Sequence, residues 1–164
     1  ILTRSDNPER GILSTHLHSE GKHARELTVE GPSIAHWVPE ILNNPDDLSY
    51  YPYMNGTFVF KNAVVRFSEV IMEGLLTNGL SPTDIDMLIP HQANLRISQF
   101  VQKKFSLRDD QVYNNIQKYG NTTAASIIIA LTEAHEKGKI NQGDLVVLAA
   151  FGSGFTWGSV IIRW

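Results

Sequence analysis

From Leu145 to Phe151 the chain reads Leu-Val-Val-Leu-Ala-Ala-Phe, with no polar side chain at any position. A strand with one wet face alternates apolar and polar residues, so a run apolar at every position has to be covered on both faces. Gly152-Ser153-Gly154 then reverses the chain into a second arm, Phe155 to Arg163, and the pair reads as a hairpin around a central strand. That requirement forces a layered arrangement, and the rest of the sequence supplies the layers. Phe60, Val64, Phe67, Ile71 and Leu75 recur at three- and four-residue steps and predict a helix over 57–77, ended at Asn78-Gly79. A second helix is expected over 93–104, burying Ala93, Ile97, Phe100 and Val101. A third, over 122–136, has so little polar face around Ile127, Ile128, Ile129 and Leu131 that burial on most sides is expected.

Strands are expected at 11–18, where Ile12, Ser14, His16 and His18 alternate with Leu13, Thr15 and Leu17, at 87–89, and at 111–114. With the hairpin these make an α/β fold, one domain over residues 1–164, built on a mixed five-stranded sheet. Ile1 to Asp6 read as the end of a strand already under way. Residues 19–55, rich in proline and in Asn-Asn, Asp-Asp and Tyr-Tyr pairs, read as a long irregular excursion lining a channel or an interface.

The totals narrow the chemistry. The 164 residues contain no cysteine, which excludes disulfides, thiolate metal sites and a cysteine nucleophile within the chain. A net charge of −3 gives no case for nucleic acid. No apolar run reaches the ~18 residues of a membrane helix and no signal-peptide order is present, so the expectation is a cytoplasmic protein without membrane contact. His16, His18 and His23 invite a metal, but no carboxylate is visible near them to complete a set; a structural or solvent-facing role and no metal are expected.

The polar residues that interrupt this frame lie at junctions. Pro90 ends a strand and His91 follows at its tip, beside Gln92, Asn94 and Arg96, where a purely structural turn needs a single cap. Taken singly, His91 fits a structural histidine more readily than a catalytic one. Asn121, after Gly120 and before a helix, serves equally as an N-cap or as a polarising amide at a helix start. Gly152-Ser153-Gly154 suits a tight hairpin more readily than a backbone aimed at an oxyanion. Arg96, Lys103 and Lys104 suit a solvated helix face; with Lys61 they also suit an acidic partner.

Three motifs together carry a family likeness. Ile89-Pro90-His91-Gln92-Ala93-Asn94-Leu95-Arg96-Ile97, Tyr119-Gly120-Asn121-Thr122-Thr123-Ala124-Ala125-Ser126 and Ala150-Phe151-Gly152-Ser153-Gly154-Phe155-Thr156-Trp157-Gly158 resemble those of the β-ketoacyl-acyl-carrier-protein synthase III family, thiolase-fold condensing enzymes. Gly11 to His18 and Met54 to Lys61 share the likeness, which spans the chain but only the C-terminal half of such an enzyme. The resemblance implies one half of a duplicated, layered thiolase-like fold, the N-terminal, cysteine-bearing half being absent from this chain. It implies decarboxylative condensation of acyl-CoA with malonyl-acyl-carrier-protein in the initiation of fatty acid synthesis, with no cofactor. His91 and Asn121 would be two members of a Cys-His-Asn set. The Ser153 N–H would serve an oxyanion hole, where the family has a glycine. Asn94, Phe151, Gly152 and Gly154 would support the site, and Lys61 and Arg96 would meet acyl carrier protein. The implied partners are acyl carrier protein, acyl-CoA, a cysteine-bearing half in the same or a separate chain, and a second copy in a homodimer. Without a thiol the chain alone is expected to be inactive; a non-catalytic interaction module with the same fold is the alternative.

Overall fold

The computed structural model describes residues 4–7, 9–31 and 37–164. Leu145–Gly152 (β5) is indeed an inner strand. It pairs antiparallel with Thr156–Arg163 (β6) and parallel with Met87–Pro90 (β4), and Gly11–Ser19 (β1) adds antiparallel to β6, giving the order β1-β6-β5-β4. The unbroken apolar run is explained by its two environments. Leu145, Val147, Ala149 and Phe151 join Leu88 and Ile161 on one face, while Val146 and Leu148 join Met87 and Ile89 on the other. Each fully buried branched side chain of this kind contributes on the order of 1.5–3 kcal/mol by leaving water.

Gly56–Thr77 (α2) covers the first face through Val59, Ala63, Phe67, Ile71 and Leu75, helped by Leu95–Lys104 (α3) through Ile97 and Val101. Asn55 starts α2 by accepting the Phe58 N–H with its side chain. Gly74 sets how closely α2 lies on β6: a Cβ there would stand 2.8 Å from Ile161 Cδ1 and 3.2 Å from Ser159 Oγ. Because it is absent, Ser159 Oγ reaches the Val70 carbonyl at 2.8 Å. Ala125–Glu136 (α5) covers the second face through Ala130 and Ala134.

Several expectations change. The sheet has four strands, not five: around residues 111–114 only a single parallel bridge, Val112 to Leu88, forms. The reason is competition for backbone groups. Tyr113 N–H still donates to the Leu88 carbonyl, but the N–H groups of Asn115 and Ile116 go to the side-chain oxygen of Gln92 and turn the chain away. In β1 the register shifts between Ile12 and Ser14, so Ile12 is exposed while Leu13 packs on the core. Phe100, expected inside, is 46% exposed. The inward stripe of α3 is Ile97, Ser98 and Val101, and at ~100° per residue Phe100 stands well off it. Ala93 is also exposed, lying before α3 begins. Ile128 of α5 is 60% exposed, so that helix is not enclosed on most sides within this chain.

The excursion after β1 is less irregular than its composition suggests. It contains 3-10 turns at Gly21–Glu26 and Leu48–Tyr50, a short helix Trp37–Asn43 (α1), and a two-stranded ribbon of Leu27–Thr28 (β2) with Tyr53–Met54 (β3). The strand end expected at Ile1–Asp6 falls in part on residues 1–3, outside the described ones; Arg4 to Asp6 are irregular. No helix among the described residues is long and apolar enough to cross a membrane.

Candidate functional site

His91 is delivered by β4. Its N–H extends the ladder beyond Pro90 by donating to the Ala149 carbonyl at 2.8 Å, and Asn94 then caps α3 by accepting the Arg96 N–H at 2.9 Å. The imidazole is fixed on one side, with Nδ1 2.5 Å from Ser126 Oγ. Burial pushes the His91 pKa below the ordinary histidine value, which favours the neutral ring near neutral pH. No protein group among the described residues bonds its other nitrogen, Nε2.

Gln92, 3% exposed, braces the segment that leads to Asn121. Its amide nitrogen donates to the carbonyls of Pro90 at 2.7 Å and Tyr113 at 3.3 Å. Its oxygen accepts the N–H groups of Asn115 at 3.0 Å and Ile116 at 3.2 Å. The segment so held runs through the one-turn helix Ile116–Tyr119 (α4) to Gly120, whose φ of 69° suits glycine, and on to Asn121. The same segment is held from α5. Glu133 accepts from Asn115 Nδ2 at 2.9 Å and pairs with Lys118 at 3.3 Å and Lys137 at 2.7 Å. Lys137 leads the groups that lower the Glu133 pKa to about 2.

Asn121 is exposed, and its Oδ1 accepts the Thr123 N–H at 2.9 Å. It therefore closes a local Asx turn; it does not cap α5, whose N-cap is Ala124. Its side-chain N–H groups have no partner among the described residues.

At the β5–β6 turn Phe151 is buried against Phe155 at a ring separation of 4.9 Å, and Gly152 pairs across the hairpin with Thr156. Gly154 has a φ of 134°, a conformation that a side chain would strain. Ser153 finds room for its side chain by donating to the Leu27 carbonyl at 2.6 Å, which ties the turn to β2. Its own N–H has no acceptor among the described residues.

One open cleft of about 1500 Å³ brings most of these together. His91, Asn94, Asn121, Phe151, Gly152 and Ser153 line it, as do Lys61 and Arg96; Gly154 does not. The cleft walls are mainly apolar, with Phe60, Phe67, Ile127 and Trp157 among them. An apolar cleft with a few converging donors can hold a flexible acyl chain and stabilise charge at one polar end.

Two features were not foreseen. Ser126 lay inside a recognised motif, but a contact 35 residues back to His91 has no local signature. His16, His18 and His23 do meet carboxylates: Glu73 of α2 lies 3.3 Å from His16 and 2.6 Å from His18, while His23 packs on Phe58 and stands 3.9 Å from Glu20. Among the described residues no cluster of three or more His, Cys, Asp or Glu is arranged to hold a metal.

Residues 75–164 match the family 3-Oxoacyl-[acyl-carrier-protein (ACP)] synthase III C terminal. The chain is 46% identical over 157 residues to a Beta-ketoacyl-[acyl-carrier-protein] synthase III of Rhodospirillum centenum, covering 95% of this chain and 45% of that protein. It is 46% identical over 165 residues to the enzyme of that name from Alkalilimnicola ehrlichii, covering 100% of this chain and 49% of that one. The crystal structure of 3-oxoacyl-[acyl-carrier-protein] synthase III from Aquifex aeolicus VF5 superimposes with a TM-score of 0.84 at 39% identity, over 99% of this chain and 47% of that one. The chain thus spans about half the length of the curated relatives it matches.

Proposed function

The chain belongs to the 3-oxoacyl-[acyl-carrier-protein (ACP)] synthase III C-terminal family, and from that premise we propose that it is the half of a condensing enzyme that carries the histidine and asparagine. In this reading the reaction joins acyl-CoA to malonyl-acyl-carrier-protein at the start of fatty acid synthesis, in the cytoplasm, without a resident cofactor. The observation that carries it is a single cleft lined by His91, Asn121 and the Phe151 to Ser153 turn.

The chemistry asked of these residues is limited and specific. An acyl group first moves from coenzyme A to a cysteine thiolate, forming a thioester and releasing the coenzyme thiol. Malonyl-acyl-carrier-protein then loses carbon dioxide, and the electron pair of the broken C–C bond becomes an enolate whose oxygen is the former thioester carbonyl. Nε2–H of His91 and the side-chain amide of Asn121 donate to that oxygen. Each oriented donor is worth on the order of 3 kcal/mol at an oxyanion. The enolate carbon attacks the acyl-cysteine carbonyl, a C–C bond forms and the thiolate leaves. The Ser153 N–H contributes to the hole that holds the oxyanion of acyl transfer, and Asn94, Phe151, Gly152 and Gly154 shape the site around it. Exposed Lys61 and Arg96 attract the acidic carrier protein.

The thiol is not among these 164 residues, so the chain forms no acyl-enzyme by itself. A cysteine-bearing half, in the same polypeptide or a separate one, completes the site, and the complete enzyme pairs as a homodimer. Exposed Leu17, Phe100 and Ile128, at 83%, 46% and 60%, support this reading as apolar surface awaiting cover. The missing thiol also favours a second reading, a non-catalytic module that keeps the fold for carrier binding or assembly.

Intact-mass and gel analysis of the protein from its source separates the two. A cysteine-bearing segment or partner is expected, and the assembled protein should condense acyl-CoA with malonyl-acyl-carrier-protein. A chain that is folded, monodisperse and alone would overturn the enzymatic reading.

A further inference from the structure

We propose that Ser126 is a positioning residue that fixes His91 as the Nε2–H tautomer, so that the N–H facing the cleft is always the donor. The hydrogens around one oxygen decide the tautomer. Ser126 Oγ, on a residue 2% exposed, lies 2.5 Å from His91 Nδ1 and accepts the backbone N–H of Gln92 at 3.2 Å. A hydroxyl has one hydrogen to give. No carbonyl or carboxylate among the described residues takes it, which leaves Nδ1 as its acceptor. Were Nδ1 to carry the ring proton, the oxygen would receive two donors and its own hydrogen would be buried without a partner, an arrangement folded proteins avoid. Nδ1 therefore accepts, and the neutral ring carries its proton on Nε2.

Burial also defines what Ser126 does not do. Ser126 lines the cleft but is only 2% exposed, its oxygen is engaged by His91 and Gln92, and no carboxylate among the described residues backs His91, so the pair lacks the third member of a nucleophile-and-base set. The second bond, to Gln92 N–H, matters because Gln92 is the residue whose amide holds the segment leading to Asn121. One hydroxyl thus orients the imidazole and steadies the backbone of the residue that aligns the other donor.

The use of that Nε2–H on a thioester carbonyl rests on the function proposed above; the tautomer does not, and it is measured without substrate. The test is the nitrogen chemical shifts of His91 in the full chain labelled with 15N-histidine, at a pH where the ring is neutral, in wild type, Ser126→Ala and Ser126→Thr. Wild type and Ser126→Thr are expected to show a protonated Nε2 and an unprotonated, hydrogen-bonded Nδ1. In Ser126→Ala the preference should fall by about tenfold, the factor one neutral hydrogen bond carries. A proton on Nδ1 in wild type overturns the proposal even if Ser126→Ala does not fold. Unchanged shifts in a folded Ser126→Ala overturn it as well.

Discussion

His91 and Asn121 reach the same cleft by opposite means. His91 rides on the sheet: its backbone continues the β4–β5 ladder and its ring is clamped by a buried hydroxyl. Asn121 stands on an exposed turn, with one local bond to Thr123, and its place is set at a distance by Gln92 and Glu133 acting on residues 113–118. A side chain built into the core is positioned by folding itself, whereas one on a turn depends on whatever braces the turn. The two should therefore fail differently when the structure is perturbed.

Gln92→Ala is the largest perturbation. It removes four bonds at a buried site and strands the Asn115 and Ile116 N–H groups, so a loss of about 2–4 kcal/mol in denaturant unfolding is expected. An effect below ~1 kcal/mol would mean the brace is not needed. Gly74→Val comes next. Its branches would meet Ile161, which is fully buried, and a loss of about 1–3 kcal/mol from overpacking is expected while the Asn121 turn keeps its amide exchange pattern.

Glu133 gives a pH signature on the Asn121 side alone. Its pKa of about 2 in the fold lies below the ordinary 4.5, so the stabilisation by its partners is complete above about pH 4.5 and is lost as pH falls toward 2. Glu133→Gln should make the acid limb of the stability curve shallower over that window, the remaining slope coming from Glu20, Asp47, Glu73 and Asp84, whose hydrogen-bonded carboxyls also sit below their ordinary values. A wild-type curve already flat there would contradict the assignment. Smallest of all, Asn121→Ala should change stability by less than ~1 kcal/mol in the same unfolding assay, because it forfeits one exposed Asx bond.

The same contrast explains what could be read from the residues alone. β5 was recognisable because burial on both faces writes itself as an unbroken apolar run, and α2 because its stripe is local and periodic. His91 was visible because a proline-ended strand announces its tip. The expected strand at 111–114 dwindled to one bridge because the Gln111 N–H is spent in a turn on the Arg108 carbonyl, and the Gln92 side chain takes the Asn115 and Ile116 N–H groups that would have carried a ladder onward. Phe100 and Ile128 read as core because apolar character says that a residue is to be covered without saying by which chain. Ser126 with His91, and Glu73 with His16 and His18, are long-range pairs, and no spacing rule contains them.

If His91 and Asn121 donate to one oxygen, as proposed, malonyl-acyl-carrier-protein decarboxylation in the assembled enzyme should depend on both. Wild type, His91→Ala, Asn121→Ala and the double variant are compared. Each single change should slow the reaction by about 10²–10³-fold, and the double should be far less impaired than the product of the two, as for groups acting as a unit. Near-equal rates in all four, or two losses that simply multiply, would contradict it.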